Sequence, residues 1–367
     1  MADVEPEVRP TRTGELLSLY LVSRVGIFGL VAFSFLWPRY GSPRIPLTNH
    51  PIQLAVPMPG FLVPFMNWDA GQYVKIAADG YQPSFVPYFP LYPLLIRALS
   101  LGQRAWMAPV ALLISLLATA LAVVVLARLI AIDRPRAVWP AIALLLVFPG
   151  AIFFALPYTE ATTLLFFVLA AYAARRRAWW LAGVAGALAA ATRPPGLAII
   201  VLLVIEYALT ERPWRLRDLP ALLLPAAGPA LYLAYVWRAF GDPRLFLHGE
   251  QAYGRALGGV PVQFTTESTH LWTSLNFWVM VLALALALWS IRLLRPSYGA
   301  FAAVLALAGL ITGELESTVR FIAIAWPLFM AAGVYLTDER RLFVVGTAFA
   351  LGIGFFAILF THGYWVS

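Results

Sequence analysis

The sequence predicts an all-α, polytopic integral membrane protein, and three observations carry that expectation. Of its 367 residues 61% are apolar and only 12% charged, with a mean hydropathy of +0.79. An ordinary soluble domain is about half apolar and about a quarter charged. Apolar stretches of membrane-spanning length recur almost from end to end, and the short arginine-rich segments between them leave no room for a soluble domain.

Residues 1–15 are polar, and the apolar run that follows is too long, and lacks the small-residue cleavage site, to be a removable signal; it reads as the first anchor. Crossing a hydrocarbon core of about 30 Å takes about 20 residues of helix. Stretches near that length fall at 16–37, 106–130, 138–156, 159–174, 178–192, 195–210, 219–238, 271–291, 297–313, 320–336 and 342–360, giving about eleven spans in one transmembrane domain over 1–367. Gly183 and Ala187 supply the small-xxx-small spacing of a close helix contact.

The formal charge of +8 is spread among loops instead of forming a basic domain or arm, so no nucleic-acid partner is expected. Arg9/Arg12, Arg128/Arg134/Arg136, Arg175/Arg176/Arg177, Arg212/Arg215/Arg217, Arg292/Arg295 and Arg340/Arg341 fall on alternate loops. The positive-inside rule makes that side cytoplasmic, with the N-terminus, in the cell (plasma or inner) membrane. The alternation closes only if 85–101 does not cross. Pro87, Pro90, Pro93 and Arg97 favour a juxtamembrane or re-entrant helix in the first external loop, 38–105; the second large external loop is 238–270.

Absence of cysteine excludes disulfides, thiolate metal sites and cysteine nucleophiles. No G-x-x-x-x-G-K-[ST] or G-x-G-x-x-G occurs and the basic loops are short, which argues against an ATP-driven transporter or an enzyme using a cytoplasmic nucleotide sugar. The polar residues gather on the opposite face: Asp69, Asp79, Glu160, Asp242, Glu250, Glu267, Glu314, Glu316 and all four histidines. Glu206 is the only acid well inside a span, near its cytoplasmic end. His248 with Glu250, or Glu267 with His270, supply ligand types without a metal framework such as H-E-x-x-H, and no metal is expected.

The densest polar segment runs Asn67-Trp68-Asp69-Ala70-Gly71-Gln72-Tyr73. A helix over 70–78 would put Tyr73, Ile76 and Ala77 on one face lying at the bilayer surface, with Asp69 as its N-cap. On these residues alone a helix cap beside an aromatic belt of Trp68, Tyr73 and Tyr81 and a functional acid both stand.

Four places then resemble one family. They are Trp68-Asp69-Ala70-Gly71-Gln72-Tyr73 with Ile76-Ala77, Gly80-Tyr81 and Phe89-Pro90-Leu91-Tyr92-Pro93; Phe148-Pro149-Gly150-Ala151-Ile152-Phe153-Phe154 leading to Tyr158-Thr159-Glu160; Thr192-Arg193-Pro194-Pro195-Gly196-Leu197; and Ser317-Thr318-Val319-Arg320-Phe321 with Pro327. In this order they resemble the GPI mannosyltransferase II (PIG-V type) family and its prokaryotic relatives in the GT-C superfamily of membrane glycosyltransferases. The resemblance implies inverting transfer of mannose from a polyprenyl (dolichol-type) phosphate on the non-cytoplasmic side, with the first-loop acid, here Asp69, as base. The eukaryotic relatives typically carry a bulkier polar pair where this chain has Pro194-Pro195, and their GPI-precursor acceptor does not carry over. A glycolipid, a glycan or a protein is the expected acceptor class.

That chemistry accounts for the residue types. A single displacement needs one carboxylate to take the acceptor proton and cations for the departing phosphate. Asp69 fits the first role, and Arg193 and Arg320, which can each bond two phosphate oxygens, fit the second. Trp68, Gln72, Tyr73, Tyr92, Tyr158, Glu160 and Asp242 are the candidates for binding or orienting substrate. No cofactor beyond the lipid-linked donor is implied. Each charge also has a plainer explanation: an interfacial arginine at 193, a local Arg320–Glu316 pair, a favourable helix N-terminal charge at Glu160, and a turn at Asp242. The alternative function is a lipid or solute transporter, or flippase, that grips an anionic head group with the same arginines.

Overall fold

The computed structural model describes residues 12–36, 56–211, 213–252, 271–312, 315 and 317–362. Among them there is no strand, only helix and turn. The chain begins with α1 (Thr13–Leu36), and after the segment preceding Val56 come α2 (Asp69–Asp79) and α3 (Leu91–Leu99). A bundle follows: α4 (Arg104–Asp133), α5 (Val138–Val147), α6 (Glu160–Arg175), α7 (Trp179–Thr192) and α8 (Ile199–Thr210). Next come α9 (Leu219–Leu223), α10 (Ala227–Phe240) and α11 (Leu245–Ala252). The last part holds α12 (Leu271–Leu293), α13 (Pro296–Ala306), α14 (Ala308–Thr312), α15 (Thr318–Ile324), α16 (Trp326–Tyr335) and α17 (Glu339–Thr361).

Among the described residues, helices are long and apolar enough to cross a membrane at Thr13–Ser34, Arg104–Asp133, Leu216–Phe240, Leu275–Leu293 and Glu339–Thr361, and the bent pair α15/α16 reaches that length and apolarity only when its two helices are taken together. Their outer faces present Leu21, Val22, Leu117, Leu121, Val344 and Leu351. Lipid is the solvent that suits such a surface, and the chain is a multi-pass membrane protein. All eleven apolar stretches carry helix, but eleven unbroken spans are not what forms. Pro135–Val147, Trp179–Thr192, Pro194–Thr210 and Pro296–Ala306 are shorter apolar helices, and α15 meets α16 at 71° beside Pro327. Proline cannot donate to a helix that arrives before it, and it turns the preceding residue away from helical geometry, so α5, α7 and α15 end shortly before Pro149, Pro194 and Pro327.

One break is repaired by an arginine that the loop-based reading of charge passed over. Arg24 lies inside α1, 3% exposed, and donates to the carbonyls of Leu146 (3.4 Å) and Ala151 (3.3 Å) on either side of Pro149. In an apolar medium those freed carbonyls need a donor.

The stretch 85–101 does not cross: α3 has nine residues, about 14 Å of helix against a core of roughly 30 Å. α2 packs on α3 and α4, burying Tyr73, Val74, Ile76, Ala77 and Ala78. Its apolar contacts therefore run round more of the helix than the single face expected of a surface-lying segment. Arg97 and Arg104 hold its C-terminal end, Arg97 on the carbonyl of Ala77 (2.8 Å) and Arg104 on Asp79 (2.7 Å).

α4 and α6 pack along one another and run in the same direction, Ser115 donating to the Tyr158 carbonyl near one end and Arg175 reaching Asp133 at the other, with one charge cluster at each end of α6. At the end holding Asp133, the buried Glu206 accepts from Ser297 (2.6 Å) and from Arg295 (3.0 and 2.8 Å), while Arg175 reaches Asp133 (2.5 Å) and Glu206 (3.4 Å). Glu206 is therefore paired and satisfied where it is buried.

α7 contacts α9 and α10 through its small-residue face. A Cβ on Gly183 would lie 2.2 Å from the Ala221 carbonyl oxygen. Gly183→Val is expected to cost about 1–3 kcal/mol, because a backbone atom cannot swing aside. The apparent Tm of detergent-purified protein measures this, and an unchanged Tm would mean that the helices part freely.

Candidate active site

The other charge cluster joins the four sequence stretches set out above. Asp69 begins α2, Glu160 begins α6, Arg193 follows the last residue of α7, and Arg320 lies in the first turn of α15. Arg320 Nη1 donates to Asp69 Oδ2 at 2.8 Å, and its Nε donates to Glu160 Oε1. Arg193 Nη1 reaches the same Glu160 oxygen at 2.5 Å. The result is a chain Asp69–Arg320–Glu160–Arg193 with two negative and two positive groups.

Exposure is graded along this chain. Glu160 is fully buried and Arg320 side-chain exposure is 3%, whereas Arg193 has 11% and Asp69 17%. The two inner groups are thus shielded, and the two outer ones are partly open. Aromatic rings complete the cradle: the Arg320 guanidinium lies 5.2 Å from the Phe153 centroid and 5.0 Å from Tyr158, and Arg193 lies 5.2 Å from Phe321. Stacking fixes a guanidinium plane without neutralising it. Among the described residues Glu160 Oε2 is buried with no hydrogen-bond partner.

Asp69 does not cap its helix as the spacing suggested. Trp68 occupies the N-cap position, Asp69 is the first helical residue, and no side chain caps the end. Arg320 takes the carboxylate instead, since a buried guanidinium offers a stronger bond than a free backbone N–H. The turn into α2 requires Trp68 at φ 58° and ψ −126°, a conformation that costs a bulky residue about 1–3 kcal/mol and recurs at functional sites.

The remaining candidates divide. Tyr158 donates to the Asn67 carbonyl at 3.1 Å and so ties α6 to the segment carrying Asp69. Tyr73 is buried edge-on against Tyr88 (5.4 Å) and Tyr92 (5.3 Å). Burial first, then the Asp69 carboxylate, hold the Tyr73 hydroxyl above its ordinary range, leaving it neutral. Tyr92 is fully buried and bonded to Ala111 (2.7 Å) and Ser115 (2.8 Å), behind the site. Trp68 packs on the main core and Gln72 is half-buried in the first turn of α2. Asp242 is not brought in: it accepts from the Arg244 amide at 2.8 Å and faces His248 at 3.4 Å within its own turn.

Sequence reasoning missed Asn67, Phe153 and Phe321 as parts of the site, although each adjoins or lies within a quoted stretch. It also missed Tyr88, whose hydroxyl donates to Asp69 Oδ1 at 3.4 Å. Glu314, Glu316, Glu267, His50 and His270 lie outside the described residues, and with Glu316 the expected local pair to Arg320. Among the described residues no three histidine, aspartate or glutamate side chains gather in a metal-binding group.

No family model matches this chain, and neither does any curated protein. Among solved structures it is similar to the crystal structure of the Archaeoglobus fulgidus oligosaccharyltransferase in complex with Zn and sulfate, at 14% identity and a TM-score of 0.45, over 95% of this chain and 53% of that one. The chain spans about half the length of that protein.

Proposed function

We propose that the protein is an inverting membrane glycosyltransferase that moves mannose from a polyprenyl phosphate to an acceptor hydroxyl, with Asp69 as the general base. One observation carries this reading. The four stretches that resemble the PIG-V-type mannosyltransferases lie far apart in sequence, and each contributes one member of a single hydrogen-bonded charge chain.

The chemistry fits that chain. The acceptor oxygen forms a bond to the anomeric carbon as the bond from that carbon to the phosphate oxygen breaks, its electron pair leaving on phosphate. The acceptor proton goes to Asp69. One negative charge thereby passes from Asp69 to the leaving phosphate, and Arg320, which bonds Asp69, is released to serve the phosphate as that charge develops. Arg193, the more exposed arginine, meets the donor phosphate first, while Glu160 keeps both guanidiniums aimed. No step calls for a metal ion, because the leaving polyprenyl phosphate is already a weak base. The acceptor is a lipid, a glycan or a protein hydroxyl, and the side of the membrane is taken as non-cytoplasmic from the arginine pattern of the loops.

The test is transfer of labelled mannose from synthetic polyprenyl-phosphate mannose to a membrane lipid extract by the purified protein, with EDTA present. A new labelled product is expected. Label that stays on its carrier while the carrier crosses the bilayer of protein-containing vesicles would replace transfer by transport.

A further inference from the structure

We propose that Tyr88 is a positioning residue for the Asp69 carboxylate, fixed in place from α10 and α11 through Tyr232 and Gly249. The proposal rests on Asp69 being the base and adds what orients it.

The two carboxylate oxygens of Asp69 have different partners: Oδ2 bonds Arg320 at 2.8 Å, and Oδ1 faces the Tyr88 hydroxyl at 3.4 Å. A carboxylate held at one oxygen can still rotate about its last side-chain bond, and a second donor on the other oxygen removes that freedom. Tyr88 is itself tightly placed. Its ring is edge-on to Tyr73, and its carbonyl accepts from Tyr81 (2.8 Å) and Tyr232 (3.2 Å). Tyr232, on α10, also donates to the Val86 carbonyl at 2.8 Å. From α11, Gly249 comes so close to Pro87 that a Cβ there would lie 2.7 Å from its Cγ. The segment 86–88 is therefore gripped from two helices, α10 and α11. A change at Gly249 must displace Pro87, and Tyr88 with it.

Tyr88→Phe keeps the ring and removes the hydroxyl. It is expected to lower kcat for transfer from polyprenyl-phosphate mannose to membrane lipid extract about tenfold, the worth of one hydrogen bond to a charged group, with KM for the donor changed by less than about twofold. Gly249→Ala is expected to lower kcat in the same way without touching the charge chain. The double variant should be no slower than Tyr88→Phe alone, because both act through one hydroxyl. An unchanged kcat in Tyr88→Phe overturns the proposal, and additive losses in the double variant overturn the grip through Gly249. Asp69→Asn in the same assay separates the two claims. Turnover retained by Asp69→Asn refutes Asp69 as the base itself, whereas an inactive Asp69→Asn beside a fully active Tyr88→Phe refutes only the positioning role.

Discussion

Glu160→Gln is expected to cost about 3–5 kcal/mol of stability, the usual penalty for removing one partner from a buried ion pair. Glu160 is fully buried, and one of its oxygens serves both Arg320 and Arg193. The neutral amide presents donor hydrogens or a weaker acceptor to two guanidiniums that cannot shed their protons. Arg320 then loses one of its two carboxylate partners and keeps Asp69, and Arg193 loses its carboxylate and keeps the face of Phe321. The apparent Tm of purified protein should fall clearly below wild type, and transfer should fall too, as the arginines lose their aim. Wild-type stability in Glu160→Gln would show that the carboxylate does not hold this end of the bundle together.

Asp69→Asn is expected to abolish transfer, a loss of about 10³-fold or more, while leaving the fold nearly intact. Asp69 is the more exposed acid of the chain, at 17%, and Arg320 retains Glu160 when it is neutralised. The amide oxygen can still accept from Arg320, so packing around α2 has no reason to change. What disappears is the more exposed of the two carboxylates in the charge cluster. Melting temperature and donor binding close to wild type, with turnover lost, are the expected pattern. A parallel loss of folding would make Asp69 a structural partner of Arg320 instead.

The fold class was legible because lipid imposes a simple demand, long apolar helix with charge confined to the ends, and that demand is written in composition and in apolar run length. The number of unbroken spans was not. Whether a stretch such as 320–336 stays straight depends on one proline, and α15 and α16 meet at 71° beside Pro327. The charged residues of the site were each recognisable at the end of an apolar stretch, but their pairing was not. Asp69 and Arg320 are 251 residues apart, and only the packed bundle makes them neighbours. The expectation of Asp69 as N-cap failed for a related reason: local spacing reveals the free backbone N–H groups but not the guanidinium that competes with them. Arg24 escaped notice because its partners are backbone carbonyls, which every sequence contains and none displays.

The central claim is that Asp69 takes a proton in a single displacement, and the anomeric configuration of the transferred sugar tests it most directly. Mannosyl product made by the purified wild-type protein from polyprenyl-phosphate mannose can be assigned by the one-bond carbon–hydrogen coupling at its anomeric centre. The account predicts a configuration opposite to that of the donor. Retention would contradict it, because a double displacement needs a carboxylate that attacks the sugar, and Asp69 would then be a nucleophile and not a base.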